Sequence, residues 1–334
     1  MLEAEIASGV EPSITDTARE TVALDGRLGL AARMIAVAYI SMVAVVAGLT
    51  GAYYIMFPEL GALAYDVLTR PRGRWASAPM HLATTPAITA VIGILVCRHL
   101  AYGFVSVLLA VAGALGVIIG LGSPIAPAIS AGLLPLVLGV TNWWYPPGVL
   151  FGSTLLVAVS ALWKRHLRIA APEAMETVDD HSDGTTWDGA GPVLMFVVFG
   201  VLIVRITGLR FVLFPPLVVI GYEMFRHPGT HAWAGRIWRM PIACTLSAVC
   251  GYCAYLVLGA SIAGAAIGMA SGVIVLAIVD VHVPPALAVA LLPMVMDHPS
   301  ATYPLAVAIG TLALVIAFEV RSRLTARGAY PTNV

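Results

Sequence analysis

The chain has 334 residues, of which 60% are hydrophobic and only 11% are Asp, Glu, Lys or Arg, and its 18 acidic and 18 basic side chains leave it without net charge. Its mean hydropathy is +0.93. Soluble domains are about one quarter charged, so this composition excludes an ordinary soluble domain and an electrostatic binder of nucleic acid. It predicts an all-α, polytopic bundle of transmembrane helices.

The polar parts of the chain are predicted to lie outside this bundle. Residues 1–29 are acidic and polar without an early apolar segment, which is not the pattern of a signal or transit peptide, so we expect a cytoplasmic N-terminal tail. Residues 325–334 are expected to form a cytoplasmic C-terminal tail. A polar linker at 169–191 divides the apolar sequence into two parts, 30–168 and 192–324.

Each apolar part holds five runs that we predict to be membrane spans, since about 20 residues of helix cross the hydrocarbon layer. In the first part they lie near 30–56, 80–97, 101–121, 125–140 and 147–163. In the second part they lie near 192–213, 240–257, 260–279, 284–296 and 303–319.

The two parts repeat one sequence pattern. Residues 127–157 align without a gap to 285–315, with twelve identities in 31 positions. Residues 49–71 align to 206–228, with seven identities in 23 positions. Because the offset is 158 residues in the first block and 157 in the second, we interpret the chain as a tandem duplication of one unit.

Each copy also holds one short apolar segment after a Phe-Pro dipeptide, at 57–68 and at 214–225. If this segment only re-enters the membrane, each copy has five spans and the copies are inverted. If it crosses, each copy has six spans and the copies are parallel. Six spans place fifteen of the eighteen Lys and Arg residues on the cytoplasmic side, as the positive-inside rule favours. We therefore expect parallel copies, with inverted copies as the alternative.

Four prolines are predicted to break helices along a solute pathway. Pro58 and Pro215 open the two short segments, whereas Pro135 and Pro293 lie inside apolar runs at equivalent positions of the two copies. A proline within a helix removes one backbone hydrogen bond and kinks the helix. The freed carbonyl must be satisfied by a neighbour or by water, and such points often line cavities.

Two arginines of the second copy are candidate binding residues for a small anion. Arg205 lies about fourteen residues into an apolar run, and Arg210 ends that run beside the Phe-Pro break. A charge deep in a bilayer costs at least about 2.5–3.5 kcal/mol, so it is retained where it meets a partner, a cavity or a substrate. The alternatives are a structural arginine paired with Glu59 or Glu223, or a side chain that reaches outward to the membrane surface.

Three other side chains are weaker candidates for solute or proton binding. Asp66 and Glu223 occupy the same position of the two copies, inside the short segments. His282 precedes a late span, and the pKa of an ordinary histidine lies near physiological pH. The alternatives are salt bridges from the two acids to nearby loop arginines, and simple hydration of His282 at a helix end.

Three segments resemble the HPP family of integral membrane proteins. They are "FPELGALAYDVLTRPRGRW" and "FPPLVVIGYEMFRHP", which are similar to a Pro-Leu-Gly-Ala-Ser-like stretch with its Pro-Arg or His-Pro turn, and "VHVPPALAVALLP", which is similar to the His-Pro-Pro motif of a late span. The resemblance covers most of both copies and implies two fused HPP-like units. Because plastid and cyanobacterial members of that family are associated with nitrite transport, it also implies a small inorganic anion as substrate.

These patterns together predict a transporter or channel for a small solute in a bacterial plasma membrane, most simply a small inorganic anion such as nitrite. The alternative is a membrane module that transports nothing, such as an assembly subunit or a sensor of lipid or ligand. The sequence holds no soluble-type catalytic motif or metal-binding spacing, so we expect neither enzymatic activity nor a metal or cofactor. The expected partners are the solute, membrane lipid and a second copy of the chain, but not nucleic acid.

Overall fold

The computed structural model describes residues 24, 26–51, 55–169, 189–229 and 231–328. Most of the predicted N-terminal tail, of the linker and of the C-terminal tail lies outside these residues. Twelve α-helices occur in the described part of the chain. Before the linker, in the part called the first copy after the predicted repeat, they are α1 (Gly26–Thr50), α2 (Glu59–Thr69), α3 (Pro79–His99), α4 (Phe104–Gly120), α5 (Ala128–Leu138) and α6 (Tyr145–His166). In the second copy they are α7 (Ala190–Thr207), α8 (Pro215–Arg226), α9 (Arg239–Leu258), α10 (Ile262–Val279), α11 (Pro285–Leu291) and α12 (Thr302–Gly328), with short 3₁₀ turns at Arg210–Leu213 and Leu292–Met294.

Seven of these helices are long and apolar enough to cross a membrane: α1, α3, α6, α7, α9, α10 and α12. Less than half of each apolar window is buried inside the bundle, so their outer faces present apolar side chains. An apolar outer surface fits contact with lipid and not with water. The chain is therefore a multi-span helical membrane protein.

The prediction of one short segment per copy is wrong, because each copy holds two short helices. The run predicted as a span near 125–140 forms only the eleven-residue α5, and its counterpart forms the seven-residue α11 and a 3₁₀ turn. Helix α5 begins after Pro127 and ends at Gly139, whose φ of 74° is in the left-handed region that favours glycine. At 1.5 Å per residue, an eleven-residue helix is about 16 Å long, too short to cross hydrocarbon alone.

The four short helices form the centre of the bundle. Every residue of α2 and of α11 is buried, and so are nearly all residues of α5 and α8. A helix that is buried on all sides needs no polar face, which explains why most residues of these segments are apolar, with Glu59, Asp66 and Glu223 among the charged exceptions. The long helices surround them and separate them from the apolar exterior.

The two sets of six helices pack in matching pairs. Within each set, the third helix packs on the fourth, fifth and sixth, and the first packs on the second. Between the sets, α1 packs on α10 as α7 packs on α4, and α2 packs on α11 as α8 packs on α5. Each central short helix of one set is thus held by a short helix of the other.

Two close helix contacts occur at equivalent positions of the two parts of the chain, 158 residues apart. Gly93 on α3 packs against the backbone of Gly132 on α5, and Gly251 on α9 packs against the backbone of Ala290 on α11. A Cβ atom at either glycine would overlap the facing carbonyl oxygen. Glycine is therefore required at both positions by close backbone approach.

Candidate functional site

The most concentrated group of ionisable side chains lies where the last turn of α2 meets the connection between α10 and α11. The Nε2 atom of His282 donates a 2.8 Å hydrogen bond to Oδ1 of Asp66. A guanidinium nitrogen of Arg70 lies 3.9 Å from the same oxygen. The Asp66–His282 pair thus joins a residue of the first copy to one of the second, and each side chain is at most 14% exposed.

The surroundings of His282 favour a neutral imidazole. Burial lowers the pKa of His282, whereas the hydrogen bond and the charge of Asp66 raise it, and burial is the larger effect. The ring of Tyr65 lies 5.2 Å from the imidazole ring, and Arg33 of α1 is close to the Tyr65 side chain. A neutral His282 that donates from Nε2 leaves the charge of Asp66 to be balanced by Arg70.

The equivalent acid of the second copy lies close to this pair. Glu223, in the last turn of α8, is within electrostatic reach of Asp66 and of Arg74. Arg74 also contacts His227, with 2.7 Å between the guanidinium and Nε2. The segments that follow α2 and α8 are equivalent by sequence, and these contacts place them at the same end of the bundle.

A cleft of about 420 Å³ opens beside the Asp66–His282 pair. Its polar lining comes from Arg33, Tyr65, Arg236, Asp280 and His282, and its remaining lining is apolar. The cleft therefore has side chains of both copies on its walls. The cleft is partly open, and two arginines, one aspartate, one histidine and one tyrosine contribute its polar groups.

Asp280 organises the rim of this cleft. Its carboxylate accepts hydrogen bonds from Arg236 and, at 2.9 Å, from Arg239, and its φ of 53° ends α10 in the left-handed region. The hydrogen bond from Arg239 and the charge of Arg236 lower the pKa of Asp280 below its usual value. Two arginines on one carboxylate leave this rim with a positive balance.

Arg205 does not occupy the buried position that the sequence predicted. It lies in the last turn of α7, and its side chain is exposed on the outside of the bundle. Helix α7 ends at Thr207 and Gly208, whose φ is 70°, so Arg205 is near the end of the helix and not in its middle. The structure therefore favours the alternative of an arginine that reaches outward, and it does not bring Arg205 to the cleft.

Arg210 stabilises the end of another helix. Its guanidinium donates a 2.8 Å hydrogen bond to the carbonyl oxygen of Leu136, in the last turn of α5, and lies 4.1 Å from the ring centre of Tyr102. The last carbonyls of a helix have no partner within the helix, and a cation there also meets the negative end of the helix dipole. These contacts connect the two copies at the end of the bundle away from the cleft.

Pro135, inside α5, and Pro293, in the 3₁₀ turn after α11, each have a tyrosine as partner. Pro135 has no N–H to give to the carbonyl of Ala131, and the hydroxyl of Tyr145 donates to that oxygen at 3.2 Å. The hydroxyl of Tyr303 likewise donates to the carbonyl of Val289, four residues before Pro293, at 2.7 Å. Because buried tyrosines satisfy both freed carbonyls, neither carbonyl needs water as a partner. That these prolines line a pathway stays a prediction.

Pro58 and Pro215 mark helix starts and not kinks. Pro58 is the residue before α2, and Pro215 is the first residue of α8. A proline at the start of a helix loses no hydrogen bond, because the N–H of that position has no partner within the helix. Both prolines are buried, and each directs the chain into a short central helix.

Sequence reasoning considered Glu59 only as a possible partner of an arginine and missed it as a site in its own right. Glu59, the first residue of α2, is only 1% exposed, and its carboxylate has no hydrogen bond or ion pair with any residue that the structure describes. Ser130 of α5 lies beside it without forming a hydrogen bond of ordinary geometry. The available signal was a glutamate at the start of a twelve-residue run that is otherwise almost wholly apolar.

No group of three or more His, Cys, Asp and Glu side chains within the described ranges is arranged to hold a metal ion. The four cysteines are free thiols.

Comparison of the chain with known protein families, with characterised proteins and with solved structures finds no match.

Proposed function

We propose that this protein is a membrane transporter for a small inorganic anion, with nitrite as the first candidate. The observation that carries the proposal is the cleft at the Asp66–His282 pair, which is lined by Arg33 of one copy and by Arg236 of the other. A site between two packed halves of a bundle is a common position for a transported solute, since relative movement of the halves can open it to either side.

The side chains at the cleft suit an anion better than a cation. Asp66 is already bound by His282 and approached by Arg70, and Asp280 is bound by Arg236 and Arg239. The Arg33 guanidinium lies beside the Tyr65 side chain, and its Nε atom is buried without a partner among the described residues. A guanidinium presents its donors in a planar fork that matches two oxygens of one small anion.

We also propose that the two copies arose by tandem duplication and lie parallel in the membrane. The contact of Arg74 with His227 supports this, because inverted copies would carry these segments to opposite membrane surfaces. The hydrogen bonds of Tyr145 and Tyr303 also support the duplication, because both donors and both acceptors are separated by the same 158 residues. The positive-inside rule then assigns the end with the cleft, and both chain termini, to the cytoplasm of a bacterium.

A flux screen tests the transport function. The purified full-length protein is reconstituted into liposomes, and uptake of nitrite, nitrate, formate, bicarbonate and urea is compared with uptake by protein-free liposomes. We expect saturable uptake of nitrite or nitrate and none of urea. Absence of flux for every solute from folded protein, together with a stably co-purifying partner, would instead favour a membrane module that does not transport.

A further inference from the structure

Glu59 is an acid that none of the contacts described above explains. Its carboxylate is buried at the start of α2, in the centre of the bundle, and no arginine, lysine or histidine of the described part of the chain pairs with it. An ionised carboxylate without a partner in an apolar interior is strongly unfavourable, and it commonly takes up a proton instead. The neutral acid is therefore the form that suits the observed packing.

The start of α2 also provides partial stabilisation for the charged form. Glu59 lies in the first helical turn, where backbone N–H groups without helical partners and the positive end of the helix dipole favour an anion. The apolar surroundings favour the protonated form of the Glu59 carboxyl group, whereas the helix start favours its ionised form. Both the protonated and the ionised forms are therefore accessible.

The side chain beside Glu59 is a serine, whose hydroxyl can bind either form of the carboxyl group. Ser130 lies beside the carboxylate, and its buried hydroxyl has no partner among the described residues. A serine hydroxyl can accept from the neutral acid or donate to the carboxylate.

The titratable groups that face this region cannot replace Glu59 in this role. On α1, the Tyr39 hydroxyl donates to the carbonyl of Gly152 at 2.7 Å. Tyr145 of α6 and Tyr303 of α12 are within electrostatic reach of Glu59, but their hydroxyls bind the carbonyls freed by the prolines. Cys244 of α9 is a buried thiol near Tyr303.

Glu59 shares one face of α2 with Asp66. Seven residues are almost two turns of helix, so the two acids lie on the same side of α2 and about 10 Å apart along its axis. Asp66 is bound to His282 at the cleft. The equivalent helix of the second copy has Pro216 in place of Glu59, so only α2 carries an acid at both positions.

We propose that Glu59 is a proton-binding site inside the bundle, which is loaded and unloaded from the Asp66–His282 end and couples solute movement to protons. The coupling, but not the proton binding, rests on the transport function proposed above. When a proton binds, the carboxylate becomes a neutral acid that donates to a neighbouring hydroxyl. When the proton leaves, the charge draws toward the N–H groups that start α2.

Infrared difference spectra test proton binding without any transport measurement. They are recorded at a series of pH values from the full chain in liposomes. Wild type is expected to show a carbonyl band of a neutral carboxylic acid, and Glu59→Gln is expected to lose a component of that band. Glu319→Gln is the matched control, because Glu319 is a partly exposed glutamate near Arg323 on α12, and it should keep the whole band. A spectrum unchanged by Glu59→Gln would overturn the proposal.

A second measurement needs no variant and covers the case in which Glu59→Gln does not fold. A hydrophobic carbodiimide, which reacts with protonated carboxyl groups in apolar surroundings, is added to wild type at several pH values, and modified peptides are identified by mass spectrometry. We expect an adduct at Glu59 that decreases as the pH rises. No adduct at Glu59 at any pH would contradict a protonated acid at this position.

Coupling is tested by nitrite uptake with and without an inward proton gradient, after subtraction of uptake by protein-free liposomes. Wild type should accumulate nitrite only with the gradient. Glu59→Gln should lose that accumulation but keep nitrite exchange between compartments of equal pH. Accumulation by wild type that does not depend on the gradient would overturn the coupling. No nitrite flux at all would contradict the transport function, and proton binding would then be judged from the infrared and labelling results alone.

Discussion

The hydroxyl of Tyr303 donates a 2.7 Å hydrogen bond to the carbonyl of Val289, the carbonyl that Pro293 cannot satisfy. Tyr145 and Ala131 form the same contact around Pro135 in the first copy, at 3.2 Å. In each copy the tyrosine follows the proline by ten residues. Residues 134–146 and 292–304 both read Leu-Pro-x-Val followed later by Tyr-Pro. This repeated pattern therefore encodes a proline and the tyrosine that satisfies the carbonyl freed by it.

Tyr303→Phe should destabilise the protein by about 1–3 kcal/mol, because the buried carbonyl of Val289 then has no partner. Pro293→Ala restores an N–H at position 293, so Tyr303→Phe should cost much less in that background. Unfolding in detergent by denaturant, followed through a double-mutant cycle, measures this coupling. Tyr252→Phe is the control, since Tyr252 is only partly buried; equal costs in both backgrounds would show that the tyrosine does not serve the proline.

The pH dependence of stability should contain a contribution from His231, in the connection between α8 and α9. Its side chain is 7% exposed, packs against Trp233 and Phe318, and burial lowers its pKa to about 4. Because the folded protein resists protonation of this ring, the stabilisation is full above the ordinary histidine pKa of about 6.5 and is lost as the pH falls toward 4. The loss is roughly 3 kcal/mol when each unit of pKa shift counts about 1.4 kcal/mol.

The measurement for His231 is unfolding in detergent between neutral pH and pH 4. His231→Gln should flatten the decline relative to wild type, whereas His99→Gln should not, because His99 is exposed at the end of α3. An equally steep decline in His231→Gln would assign the pH dependence to other groups.

Parallel copies predict a definite labelling pattern for four exposed positions. Arg72 is equivalent to Gly229, and Asn142 is equivalent to Ser300, in the alignment of the two copies. In a variant without native cysteines, a membrane-impermeant maleimide applied to one side should label Arg72→Cys and Gly229→Cys together. Applied to the other side, it should label Asn142→Cys and Ser300→Cys. Inverted copies would instead pair Arg72→Cys with Ser300→Cys, and that result would contradict the proposed orientation.

Gly93→Ala and Gly251→Ala should both destabilise the bundle, by about 1–3 kcal/mol or more, because each added methyl group meets a backbone oxygen that cannot move aside cheaply. Gly116→Ala is the matched control, since a Cβ atom there meets no atom within 4 Å. Alanine also favours helix over glycine by about 1 kcal/mol, so the control should be neutral or stabilising. Thermal unfolding in detergent compares the three variants, and similar melting temperatures for all of them would show that the close contacts do not matter.

Composition and hydropathy were sufficient to predict the multi-span helical class, because a charge-poor apolar chain has few other stable forms. They did not predict the length of α5. The run around it is apolar over sixteen residues, and only Pro127 and the positive φ of Gly139 limit the helix to eleven. An apolar run distinguishes a buried helix from a helix that is exposed to water. It does not distinguish a central helix buried inside the bundle from a membrane span that faces lipid.

The site was predicted less well, for reasons that the individual residues make clear. Asp66 and His282 are 216 positions apart, and only the packing of α2 on α11 brings them together. Arg205 was predicted to be buried from its distance along an apolar run, but α7 ends two residues later. Glu59 was missed as a site because a first-turn glutamate is common in ordinary helices, and the sequence does not show that its carboxylate lacks a partner.

The most direct test of the proposed anion cleft compares two arginines in one assay, nitrite uptake into proteoliposomes. Arg33→Gln removes one of the two arginines that line the cleft, and uptake should fall about tenfold or more, since a hydrogen bond to a charged group contributes about 1.5–3 kcal/mol. Arg205→Gln removes an exposed arginine outside the cleft and should leave uptake unchanged. Normal uptake by folded Arg33→Gln, or loss of uptake in folded Arg205→Gln, would contradict the assignment of the cleft as the anion site.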